Sequence, residues 1–222
     1  MNPEMLRMEV LTMPINTKDR EYRLIDASCL EVREEQDGKK IVEGYATVFD
    51  QEYKLWGDDR YQVYESIGRN AFDNADMSDV IMQYDHEGRV FARLSNGTLK
   101  LKADEHVLKI WADLGGTDIG RQLYEEIKGG YTTKMSFGFT VKKIERREDR
   151  DEQAGTTTVH RKITEIKKLY DVSAVSLPAN DATEISARNV SDGLIADVEK
   201  ERLAIEARER IKSQINIIAG GI

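Results

Sequence analysis

The stretch YTTKMSFGFT, Tyr131 to Thr140, places apolar and polar residues in the period of two that an extended chain uses. Tyr131, Thr133, Met135, Phe137 and Phe139 share one face, which the pattern assigns to a core. Ser136 projects from the other, between Lys134 and Gly138. Glycine weakens a strand and is tolerated where another chain or a ligand comes close, so Gly138 fits a substrate groove beside the serine. On spacing alone, Ser136 is an ordinary polar-face residue.

The segments on either side extend this strand into a sheet. Upstream, Thr117 or Asp118 can cap a helix with the stripe Ile119, Leu123 and Ile127, ended by Gly129-Gly130. Downstream, KKIERREDRDE (Lys142 to Glu152) holds five basic and five acidic residues and reads as a self-neutralising solvated loop. TTTVHRKITEI and KKLYDVSAVSLPAN follow as strands, the second apolar on both faces and therefore buried. A hairpin around the charged loop puts position 136 opposite approximately position 165, which is Glu165.

Nearer the start, EYRLIDASCLEVRE and KKIVEGYATVFD read as strands separated by the EQDGKK turn. DDRYQVYESI reads as another strand, and GRNAFDNA as a short helical turn. DVIMQYDH, RVFARL, TLKLKA and VLKIWADL, with turns at Glu87-Gly88, SNG and DEH, suggest a meander in a sheet or barrel. Residues 1–17 read as an N-terminal arm, 18–188 as the folded domain, and 189–222 as a helical tail with an imperfect heptad.

The bulk composition narrows the function classes. The chain has 222 residues and a formal net charge of −8, and 33% of its residues are charged. This balance argues against nucleic acid or an anionic membrane as principal partner. Cys29 is the only cysteine, so there is no intrachain disulfide and no cysteine-based metal site. A cysteine hydrolase built on Cys29 lacks an accompanying histidine block. No apolar run approaches a membrane span and Met1 to Asn16 lacks a signal-peptide core, so the protein is expected to act inside the cell that makes it.

A serine hydroxyl is a weak nucleophile until a base takes its proton. Three histidines are available: His86 at the end of a strand, His106 in a turn and His160 in the strand after the charged loop. A carboxylate that orients the imidazole completes such a site. Glu165 is the first candidate by register, with Asp171 and His160 as alternatives.

Five ordered blocks carry a family resemblance. VEGYATVFD (42–50), ESIGRNAF (65–72), QYDHEGRVFARLSNGTLKLKADE (83–105), KMSFGF (134–139) and ITEIKKLYDVSAVSLPAN (163–180) together resemble the tailed-phage prohead maturation proteases. Asn70 stands where that family usually has glycine. The resemblance spans roughly residues 20–188 and makes His86 the catalytic histidine, Ser136 the nucleophile and Glu165 the third member. It also implies kinship with the herpesvirus assembly proteases. The expected fold is therefore α+β, a mostly antiparallel β-barrel-like core with a few helices, and the tail read above adds a C-terminal helix. The implied activity is serine endopeptidase cleavage of the major capsid protein, scaffold segments and the protease itself. It would take place within the assembling prohead in the cytoplasm of the bacterial host, need no metal or organic cofactor, and involve contact with further copies of the chain. The competing reading is a catalytically inactive scaffold or core protein of the immature capsid that keeps the protease fold.

Overall fold

The computed structural model describes residues 20–25 and 30–176. Its strands, in chain order, begin with β1 (Glu21–Ile25), β2 (Glu31–Glu34), β3 (Lys40–Val48), β4 (Tyr53–Gly57) and β5 (Tyr61–Ile67). Next come β6 (Ile81–Tyr84), β7 (Glu87–Arg93), β8 (Leu99–Ala103) and β9 (Val107–Asp113). Helix α1 (Asp118–Lys128) precedes the two longest strands, β10 (Lys134–Asp151) and β11 (Thr156–Val175). One sheet runs β1-β10-β11-β5-β4, with β6 on β11 and β7 on β6; the other runs β2-β3-β9-β8.

This architecture overturns the expected α+β barrel-like core. The described chain is mostly β, in two sheets that do not close into a barrel, with one α-helix. The GRNAFDNA segment forms consecutive turns rather than a helical turn. The four short strands do not form one meander either: β6 and β7 join the first sheet, whereas β8 and β9 join the second. The N-terminal arm, Cys29 and the C-terminal helix expected in 189–222 lie outside the described residues.

The charged segment is strand, not loop. Its opposite charges alternate at i, i+2 and pair along each face, as in Arg150–Glu148 at 2.7 Å on one and Arg147–Asp149 at 2.9 Å on the other. Across the ladder it meets the β-branched Thr156 to Thr158. The turn comes only afterwards, where the Asp151 carboxylate accepts from the Gln153 and Ala154 N–H groups and Gly155 takes φ +67°. On its far side β11 pairs parallel with β5 through Thr157–Ile163, then with β6 through Asp171–Ala174. The end of β11 is therefore buried on both faces, as its apolar sequence requires.

The core lies between the sheets. Met135, Phe137 and Phe139 of β10 and Val172 and Ala174 of β11 pack with Val42, Ala46, Ile110 and Ala112 of the second sheet. Helix α1 contributes Leu123, Tyr124 and Ile127. Its start is capped by the Thr117 hydroxyl, which accepts from the Gly120 N–H at 3.0 Å, and Gly130 at φ +76° ends it. Among the described residues, no helix is long and apolar enough to cross a membrane.

A buried ion pair ties β1 to β5. Arg23 donates from Nε to Glu65 Oε1 at 2.5 Å and from Nη2 to Oε2 at 3.1 Å, and the Tyr53 hydroxyl donates to Oε1 at 2.7 Å. Burial disfavours the Glu65 charge, but attraction to Arg23 outweighs it and holds the carboxyl below its ordinary value. A depressed carboxyl pKa stabilises the fold above the unfolded value and ceases to do so as pH falls through the folded one. Glu65→Ala is therefore expected to cost about 3 kcal/mol near neutral pH, by stranding a buried guanidinium. In denaturant melts the gap to wild type should narrow as the pH is taken below the usual glutamate range.

Candidate active site

Two strands present four residues as a square. Ser136 and Gly138 lie on the face of β10 turned away from Met135 and Phe137, and the antiparallel register sets them against Ser173 and Asp171 of β11. Ser136 faces Ser173 directly, and Gly138 faces Asp171. All three polar members are buried: Ser136 is 2% exposed, and Asp171 and Ser173 are fully covered.

His86 reaches this square from the β6–β7 hairpin. Tyr84 pairs with Glu87, so Asp85 and His86 form a two-residue turn with φ values of +48° and +61°. Positive φ at both positions is the type I′ arrangement, for which Asn-Gly or Asp-Gly is the usual choice. The sequence pointed instead to Glu87-Gly88, where glycine stands. A non-glycine residue in this region costs of order 1 kcal/mol or more and persists only where its surroundings enforce it. Here the Asp85 N–H donates to the Ala174 carbonyl at 3.0 Å, and its carboxylate accepts from the Ser176 N–H and hydroxyl at 2.9 and 2.8 Å. These contacts fix the turn over the end of β11 and aim the imidazole at the square.

There the ring joins the two strands. Its Nε2 lies 2.6 Å from Ser136 Oγ, and its Nδ1 lies 2.5 Å from Asp171 Oδ1. A hydroxyl, an imidazole and a buried carboxylate in line, with both ring nitrogens engaged, form the arrangement that activates a serine. The family model of the caudovirus prohead serine protease matches residues 28–195. The chain belongs to that family. No curated protein and no solved structure matches it.

The remaining contacts around this cluster in the prohead-family chain explain its local sequence. Ser173 donates its hydroxyl to Asp171 Oδ1 at 2.9 Å, which fixes the oxygen that meets His86. The other carboxylate oxygen, Oδ2, has no hydrogen-bond partner among the described residues; Arg20 Nη1 stands 3.9 Å away, with its guanidinium over the Tyr170 ring. Tyr22 packs on the imidazole with ring centroids 4.4 Å apart.

Gly138 acquires a different purpose from the open groove expected of it. A Cβ there would lie 2.3 Å from Asp171 Oδ2 and 2.8 Å from Tyr22 Cε1. The space is occupied by the carboxylate itself. Gly138→Ala should push Asp171 off the imidazole, and if the carboxylate serves the reaction its misplacement should lower kcat by about 10²-fold while the substrate KM changes little. Steady-state kinetics on the alanine variant would check this, and unchanged kcat would show that the carboxylate tolerates the methyl group.

The other candidates lie elsewhere. Glu165 pairs with Lys143 in the ladder, and its exposed carboxylate meets Lys142 Nζ at 2.7 Å, which lowers its pKa. It has no contact with His86. His160 lies between Glu52 at 2.8 Å and Asp149 at 3.3 Å and stacks on Tyr64. His106 sits in the β8–β9 turn, where its N–H donates to Asp104 and its carbonyl accepts from Phe49. Ser173, Arg20 and Tyr22 were not singled out from sequence. A visible signal for the first was YDVSAV, in which an acid and a serine two apart interrupt a run apolar on both faces.

Proposed function

We propose that this prohead-family protein is an active serine endopeptidase in which Ser136 is the nucleophile, His86 the general base and Asp171 the orienting carboxylate. The observation that carries the reading is the continuous Ser136–His86–Asp171 hydrogen-bond line. In the first step His86 Nε2 takes the hydroxyl proton while Ser136 Oγ bonds to the substrate carbonyl carbon. Asp171 holds the Nδ1 hydrogen and balances the imidazolium charge. The imidazolium then returns the proton to the leaving nitrogen as the C–N bond breaks. Water repeats the sequence on the acyl-enzyme and releases Ser136.

Family membership supports capsid-related substrates: scaffold segments, the major capsid protein and the protease's own chain, cut within the assembling prohead in the host cytoplasm. A cavity of about 580 Å³ beside the His86 turn, between the β6–β7 hairpin and α1, suits the residues flanking the cut. Tyr84, Phe91, Ile119 and Leu123 give it an apolar wall, and Asp85 and Glu87 a polar rim. The test is co-expression with the capsid protein of the same phage, followed by intact-mass analysis of both chains. Trimmed termini on the capsid protein or the protease are expected. Full-length masses for both would favour the inactive scaffold.

A further inference from the structure

One contact in the site does not serve the mechanism. Ser136 Oγ also lies 3.0 Å from the Arg23 carbonyl oxygen of β1, an edge strand that precedes the residues matched to the family. The line from Arg23 O through Ser136 and His86 to Asp171 therefore has three hydrogen-bond positions. A neutral imidazole and one hydroxyl supply two hydrogens for them; an imidazolium and the hydroxyl supply three. All three positions are filled only when His86 is protonated, and then Nε2 has no lone pair with which to act as base. With His86 neutral and its Nδ1 hydrogen on Asp171, the serine hydrogen must choose between Nε2 and the carbonyl. Only the first choice activates the nucleophile.

The carbonyl is held in place from its own residue. The Arg23 side chain, 3% exposed, makes its two-pronged contact with the fully buried Glu65, and β1 adds Tyr22 against His86 and Leu24 opposite Ser136. We propose that the Arg23–Glu65 pair is a holding device for the nucleophile: it fixes the Arg23 carbonyl where it takes the Ser136 hydrogen, and loosening of β1 is the activating step. The proposal rests on Ser136 being the nucleophile. Arg23 acts through its backbone as a positioning residue. The groups facing His86 are Asp171 and Ser173 from β11, Tyr22 from β1 with Arg20 beyond it, and Asp85 and Glu87 from its own hairpin. Of these, loosening of β1 moves Tyr22 and Arg20 and leaves the others in place.

The test is the rate at which a fluorophosphonate labels Ser136 in the full chain across pH 5 to 9, where Oγ bonds to phosphorus and fluoride leaves. Arg23→Met and Glu65→Gln should label about tenfold faster near neutral pH, the worth of one lost hydrogen bond in the held state. Amide exchange in β1 should quicken, and Arg23→Lys, which keeps an ion pair, should stay near wild type. Should Arg23→Met fail to fold, Glu65→Gln decides alone. Labelling of Ser136 at the wild-type rate, or more slowly, overturns the holding device and leaves the nucleophile standing. Absence of labelling in every variant, as in Ser136→Ala, overturns both.

Discussion

Replacing Ser136 by alanine should lower kcat by about 10⁶-fold, because without Oγ there is no acyl-enzyme and the remaining groups have nothing to activate. The fold should survive. Ser136 is small, its face of β10 is set by the ladder to Ser173, and the core contacts belong to Met135 and Phe137 on the other face. The variant should therefore melt within about 2 kcal/mol of wild type, since only two side-chain hydrogen bonds are lost. The measurement is turnover of a peptide spanning a mapped cut site, beside a denaturant melt. Residual turnover within tenfold of wild type would assign the chemistry to another residue.

Asp171→Asn is expected to have the next largest effect, about 10⁴-fold in kcat, without unfolding the site. Oδ1 accepts from His86 Nδ1 and from the Ser173 hydroxyl. An amide nitrogen turned toward Nδ1 donates instead of accepting, so the ring carries its hydrogen on Nε2 and has no lone pair for Ser136. Glu165→Gln supplies the contrast. Its carboxylate is exposed and occupied with Lys142, a surface pair worth about 0–1 kcal/mol, so kcat should change less than twofold. The reverse ranking, with the Glu165 variant dead and the Asp171 variant active, would remove Asp171 from the mechanism.

These two variants also show how far the sequence could be read. The alternation in Tyr131 to Thr140 was enough to place Ser136 opposite the core-facing Met135 and Phe137, because period-two patterning survives any tertiary arrangement. The histidine that reaches Ser136 is the one its sequence block singled out. Its carboxylate partner was ranked wrongly by register for two physical reasons. The charged segment continues the strand, so the turn lies at Asp151 to Gly155, and the β10–β11 ladder carries bulges between Gly138 and Ile144 that shift the pairing further. Both changes bring Ser173, not Glu165, opposite Ser136. Neither is written in hydrophobic periodicity, since a bulge is decided by how the strands twist. The split of the four short strands between two sheets was equally invisible, because β7 and β8 are joined by a turn that reads like any hairpin.

The outer half of β10 has a consequence for life at high density. On the side opposite β11, β1 covers only Met135 to Phe139, and no described strand pairs with the residues from Thr140 to Asp151. A long uncapped margin of this kind invites another copy to zip alongside it, and the hazard grows when many molecules share a small volume. Here that margin carries lysine, arginine, glutamate and aspartate in close alternation. Each charge would lose hydration on stacking, which disfavours pairing between copies through their backbones.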